Sequence, residues 1–101
     1  QEIPQNRYTK WFDYDKIKGT LSLRHRQPGD YLTLPSGGRK TLKSWMIDEK
    51  IPRQEREQIW LLAEEKHILW IVGHRISAYY KITEQTKTIL EVEFNGGKSS
   101  G

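Results

Sequence analysis

Three histidines, a pair of adjacent carboxylates, two glycine-rich motifs and a dense set of cations are the residues of this sequence that chemistry would recruit first. His25, His67 and His74 fall on separate segments with no carboxylate at ligand spacing, so no metal site is expected from them. Ser36, Gly37 and Gly38 begin like a phosphate-cradling loop, yet the chain continues Arg39, Lys40, Thr41 without the acidic residue such a site needs. They read as a turn. Gly96, Gly97, Lys98 and Ser99 contain a Gly-Lys-Ser core, but neither the first glycine of a Walker loop nor a following helix accompanies it. Asp48 and Glu49 stand beside Lys50, which fits the solvated end of a helix better than acid–base work. No serine, threonine or lysine lies beside a base at a spacing that would activate it, so a free-standing small enzyme is set aside. Binding chemistry remains.

The net charge of +4 is unevenly placed. Residues 24–56 hold eight cations (Arg24, Arg26, Arg39, Lys40, Lys43, Lys50, Arg53, Arg56) against four acids (Asp30, Asp48, Glu49, Glu55). Residues 1–23 hold four against three and residues 57–101 hold five against six, so the whole surplus lies in the middle third. A localised surplus attracts polyanions, whereas a dispersed one serves solubility. A charged face that is merely solvated is the alternative.

The elements that carry these cations follow from pattern. Leu42, Trp45 and Met46 recur at i, i+3, i+4, which predicts a short amphipathic helix starting near Thr41. Arg39, Lys40 and Lys43 would then crowd its amino end, where the helix dipole is already positive and each cation costs roughly 0.3–1 kcal/mol unless an anion arrives. Pro52 suits the first position of a second helical turn reaching about Glu57. Residues 8–14 are aromatic and β-favouring, and residues 21–26 and 31–34 alternate as strands around a turn at Gln27, Pro28, Gly29 and Asp30. Residues 59–63 and 68–72 are short apolar runs that predict a largely buried antiparallel hairpin across Glu64, Glu65, Lys66 and His67. Residues 75–82 are ambiguous between loop and strand, and residues 88–94 alternate again. Trp45, Trp60 and Trp70 lie among aliphatics and read as core, while Trp11, Tyr79 and Tyr80 are open to stacking on a base.

The fold class is therefore α+β: a small mixed or antiparallel sheet with one or two short helices. At 101 residues and 35% hydrophobic, with 30% charged, the chain affords one modest core. No apolar run approaches the ~18 residues of a membrane span. There is no cysteine, hence no disulfide, and no signal pattern, so the cytoplasm is expected. The chain opens on Gln1 and has its single methionine at Met46, which suggests a piece of a longer protein.

An ordered series of short motifs carries a resemblance: Arg24 and Arg26 before Pro28, Gly29 and Asp30; Gly38 then Lys40, Leu42 and Lys43; Ile47 and Asp48; Lys50, Ile51 and Pro52 with Arg53 and Arg56; Leu61 and Leu62; then Trp70, Ile71, Val72 and Gly73 leading to Arg75 and Ile76, with Thr83 and Thr86 beyond. From about residue 21 to 94 the chain resembles the carboxy-terminal domain of bacterial tRNA(Ile)-lysidine synthase. Two departures are Thr41, where a lysine is common, and Trp60, where a proline is.

The resemblance implies three parts: a linker or extended segment at residues 1–20, the tRNA-binding domain at 21–94, and a flexible tail at 95–101. It also implies a fold similar to a unit of the bacterial phenylalanyl-tRNA synthetase β subunit. The implied parent is an ATP-dependent ligase that joins lysine to the wobble cytidine of the isoleucine tRNA with a CAU anticodon, using ATP with magnesium. Its pyrophosphate loop, Ser-Gly-Gly-x-Asp-Ser, lies in an amino-terminal domain, so residues 36–41 match it by coincidence and no cofactor or catalytic residue is expected here. The implied role is to hold the acceptor-stem side of the tRNA. Its contacts would be Arg24, Arg26, Arg39, Lys40, Lys43, Lys50, Arg53 and Arg56, joined by Arg75. Arg26 and Arg56 are alternatively structural, pairing with Asp30 or Asp48. The alternative function is a docking module for the amino-terminal catalytic domain of the same chain, without RNA contact.

Overall fold

The computed structural model describes residues 8–95. In order, it contains β1 (Thr9–Asp13), β2 (Leu21–Arg24), β3 (Tyr31–Thr33), β4 (Arg39–Thr41), α1 (Leu42–Asp48), α2 (Arg53–Arg56), β5 (Leu61–Glu64), β6 (His67–Ile71), β7 (Arg75–Ile76) and β8 (Ile89–Glu93). Two 3₁₀ turns, Tyr14–Lys16 and Ala78–Tyr80, complete the set. A six-stranded sheet runs β2-β5-β6-β3-β4, and β7 pairs with β6. All its pairings are antiparallel except β3 with β6, which meet in parallel at Tyr31 and His67. The sheet is thus mixed, and with its two helices the class is α+β.

The apolar runs of β5 and β6 are buried because both faces of the sheet are covered. Leu61, Ala63, Ile68 and Ile71 pack with Leu42, Trp45 and Met46 of α1. Leu62, Leu69 and Trp70 pack on the other side with Phe12, Val72 and Tyr80. The register slips between Leu62 and Ala63, which lets Leu69 and Trp70, neighbours in sequence, enter the same cluster against the usual alternation. Trp45 and Trp70 are core, as their aliphatic neighbours imply, and Trp60 is half-buried against the second cluster.

Residues 9–13, β-favouring within the segment expected to be a linker or extended, form strand β1. β1 pairs with β8 along its whole length, from Thr9 opposite Glu93 to Asp13 opposite Ile89, and Phe12 is fully buried. A single aromatic anchor and a partner strand far along the chain make this segment integral to the domain. Residues 1–7 and 96–101, which include most of the expected tail, lie outside the described residues.

Arg39–Thr41 differ from expectation. They form a strand against β3 instead of leading straight into a helix, closed by a loop in which Gly37 takes a φ of 97° and donates to the Leu34 carbonyl at 2.8 Å. Thr41 ends that strand and caps α1, its hydroxyl accepting from the Ser44 amide at 3.1 Å. Thr41→Ala is expected to cost about 1 kcal/mol. A melting temperature lowered by roughly 4–8 °C would show it; an unchanged midpoint would mean that water replaces the cap. At the other end, Lys50 takes a φ of 57°, its amide reaches the Ile47 carbonyl at 3.0 Å, and the Ile51 amide reaches Met46 at 3.0 Å. This is a Schellman stop, and Ile51 packs into the same core cluster as Met46.

Candidate nucleic-acid interface

The turn between β2 and β3 bends at Gly29, where φ is 89°, and brings its residues opposite the start of α1 and the helical turn α2. Between them lies a groove of about 800 Å³ lined by Arg26, Lys43, Arg53 and Arg56, with Asp30 and Glu57 as its acids. Both acids are already matched. Arg24 holds the buried Asp30 carboxylate, and Arg26 Nε donates to Glu57 Oε2 at 2.7 Å. Arg56 Nε donates to the Ile51 carbonyl at 2.8 Å, and Arg56 makes no ion pair among the described residues. Lys43 and Arg53 are exposed, and neither side chain makes an ion pair or hydrogen bond with another of the described residues. Three cations of one sign on a concave surface favour a chain of phosphates over an isolated carboxylate.

Arg24 does a different job. Its two terminal nitrogens grip Asp30 through both carboxylate oxygens at 2.9 Å and also donate to the carbonyls of His25 at 2.9 Å and Glu65 at 2.6 Å. Asp30 Oδ2 in turn accepts from the Gln27 amide at 2.8 Å. The end of β2, the start of β3 and the β5–β6 turn are tied at one point. The sequence marked Arg26 and Arg56 as possible partners of Asp30 or Asp48; those two acids pair instead with Arg24 and Lys40, and Arg26 pairs with Glu57.

The remaining candidates scatter. Lys40 pairs with Asp48 across α1. Lys50 sits at the helix stop and Arg75 on β7, both exposed and lining neither this groove nor the next. Arg39 leans over the Tyr31 ring, its guanidinium carbon 3.9 Å from the centroid. The expected crowd at the amino end of α1 therefore reduces to Lys43, because Arg39 and Lys40 belong to β4.

Arg39 belongs to a second groove, of about 750 Å³, whose lining includes Lys16, Lys18, Lys66, His67 and Tyr79. Tyr31 stacks on His67 at 4.5 Å, His67 meets Tyr79 at 5.2 Å, and Lys16 Nζ stands 5.0 Å over the Tyr79 ring. The rings form a row with a cation at each end. Burial, then the charge of Arg39, holds the His67 imidazole below its ordinary value against an opposing pull from Glu64. Its Nε2 lies 3.0 Å from the Thr33 hydroxyl. Glu64 accepts from the Tyr80 hydroxyl at 2.7 Å and from the amides of Lys18 at 2.6 Å and Gly19. Burial pushes its carboxyl up, but those hydrogen bonds outweigh it and hold the group below the usual carboxylate range. Tyr80 is pushed well above its ordinary value by burial and by Glu64, so it stays a donor.

Sequence reasoning noticed Tyr79 but not Lys16, Lys18, Lys66, Tyr31 or His67 as a group. They come from four separate stretches, which the pairing of β3 with β6 and the packing of the two 3₁₀ turns bring together. Among the described residues no cluster of three metal-ligating side chains occurs, and no helix is long and apolar enough to cross a membrane.

Residues 21–93 match the family described as the TilS substrate C-terminal domain. The chain is 45% identical over 94 residues to the tRNA(Ile)-lysidine synthase of Caldanaerobacter subterraneus subsp. tengcongensis, covering 92% of this chain and 20% of that protein. It is 42% identical to the enzyme of that name from Clostridium tetani, with the same coverage, and 40% identical to that from Parabacteroides distasonis, covering 93% of this chain and 22% of the relative. A crystal structure of a TILS C-terminal domain superposes with a TM-score of 0.68 at 26% identity, covering 93% of this chain and 78% of that one. The chain spans about a fifth of the length of the curated relatives it matches.

Proposed function

The chain belongs to the TilS substrate C-terminal domain family, and from that premise we propose that it grips tRNA for a tRNA(Ile)-lysidine synthase. In this reading the groove between α1, α2 and the β2–β3 turn lies along the acceptor stem of the isoleucine tRNA with a CAU anticodon. An amino-terminal domain of the same protein, acting in the cytoplasm, would use ATP, magnesium and lysine to modify the wobble cytidine. No residue of this chain is assigned to that chemistry.

The observation that supports the reading most directly is the charge left over in the first groove. Once Arg24 and Arg26 have matched Asp30 and Glu57, Lys43, Arg53 and Arg56 still face outward together. Double-stranded RNA offers a protein its phosphates, its 2′-hydroxyls and a shallow minor groove, so a stem is held by shape and charge more than by base edges. Of the other sequence candidates, Arg39 remains a contact at the second groove. Lys50 and Arg75 would be peripheral, and Arg24 and Lys40 would act by fixing the elements that carry the rest.

The test compares the affinity of this chain for a minihelix copying the acceptor stem with its affinity for the anticodon stem-loop, at two salt concentrations. Tighter binding to the minihelix that weakens as salt rises is expected. Salt-insensitive or equal binding to both would sink the acceptor-stem assignment and transfer the groove to an acidic protein surface.

A further inference from the structure

We propose that the second groove is a separate site for an unpaired RNA nucleotide, whose base stacks on Tyr79 in place of the Lys16 ammonium while Lys16, Lys18 and Lys66 meet its phosphates. This rests on the RNA-binding reading above but concerns a different surface and a different recognition chemistry. The ring row Tyr31, His67, Tyr79 is built from within: Tyr31 and His67 are opposite partners on paired strands, and Tyr79 rides on the 3₁₀ turn beside them. Tyr79 is 42% exposed, and what covers its face is a lysine on a flexible stem.

Magnitudes decide which group holds that face. A cation over an exposed ring contributes roughly a two- to fivefold preference. A nucleic-acid base on the same ring contributes roughly five- to 150-fold. The base wins, and the displaced ammonium is freed for a phosphate. Lys18 and Lys66 make their described hydrogen bonds to the Asp15 carbonyl, at 2.8 Å, and the Gln27 side chain, at 3.3 Å. Neither ammonium is bonded to a carboxylate among the described residues, so both charges remain available. Glu64 lines the groove too, but its oxygens are taken by Tyr80, Lys18 and Gly19 from within. A neutral His67 in the row adds no charge that would repel Arg39.

Place favours a nucleotide joined to the stem already held. Gln27 lines the first groove and accepts from Lys66, which lines the second, so the two surfaces meet at that hydrogen bond. A strand leaving the end of a duplex in the first groove has a route to the second. Single-stranded RNA from an end and from a loop share this chemistry, and the experiment separates them.

Three RNAs are compared for binding to this chain: a blunt minihelix, the same minihelix with a short single-stranded 3′ end containing 2-aminopurine, and a hairpin with those nucleotides in its loop. The overhang or the loop form is expected to bind roughly five- to 150-fold tighter than the blunt one, with quenching of the 2-aminopurine. Whichever form shows the gain identifies the source. Tyr79→Ala should abolish the gain and the quench while leaving blunt-helix affinity unchanged, and Tyr79→Phe should retain both. Lys16→Ala should keep the quench and lower the salt slope by about one. Lys43→Glu should weaken all three RNAs and preserve their ratio. Equal affinity for the three RNAs, or quenching that survives Tyr79→Ala, overturns the stacking site while leaving the first groove standing. Failure to bind any of them at low salt overturns both.

Discussion

Replacing Lys43 and Arg53 together with glutamate is expected to weaken binding to an RNA stem about 100-fold. Each residue stands exposed in the first groove without an intramolecular partner among the described residues, so the fold should not register the change. A charge-assisted contact is worth about 1.5 kcal/mol at the low end, and two of them amount to about two decades of affinity. The salt dependence carries a second signature. Removing two phosphate contacts should flatten the log–log slope by about two, because two fewer counterions are released when RNA binds. Titration of both proteins with the minihelix at several salt concentrations reads affinity and slope together, and thermal melting confirms that the variant is folded. A weaker complex with an unaltered slope would place Lys43 and Arg53 away from the phosphates.

Arg24→Ala should act on stability where the groove cations act on binding. The Arg24 and Asp30 side chains are 15% and 1% exposed, so truncation strands a carboxylate out of water and frees the carbonyls of His25 and Glu65. Removing one partner of such a buried pair costs about 3 kcal/mol, a fall of roughly 12–24 °C in melting temperature for a domain this size. Arg26→Ala is the control. Its pair with Glu57 is open to water, and exposed pairs contribute about 1 kcal/mol or less. Urea denaturation of the two variants should rank them in that order, and an Arg24→Ala protein as stable as wild type would refute the clamp.

What could be read from residue types was mostly local. The spacing of Leu42, Trp45 and Met46 reported α1 because a helix this short is held by one apolar stripe, and that stripe is contiguous in sequence. β4 left no such trace: its three residues are polar, and only pairing with β3 makes them a strand. β1 showed as an aromatic, β-favouring stretch, but its pairing did not, since its partner lies at the far end of the described chain. The basic surplus of residues 24–56 located the first groove, yet charge counting could not separate Arg24 from Arg26. Two residues apart, they would share a face if the strand continued. β2 instead stops at Arg24, and the chain turns, sending one arginine to Asp30 and the other to Glu57. The second groove escaped because its cations lie outside that segment, apart from Arg39, and its aromatic row is a product of strand pairing.

The union of β1 with β8 also bears on how the molecule comes into being. As a chain is synthesised in the amino-to-carboxyl direction, residues 9–13 emerge before the rest of the described domain, but the edge they pair with arrives only with residues 89–93. Closing so long a loop is among the slower steps of folding, because its entropy is lost before its contacts form. The six-stranded sheet can assemble in the meantime, since all its strands lie between residues 21 and 76. Phe12 and its strand are then the last to be secured, so the first strand of this domain to be made waits longest for its partner.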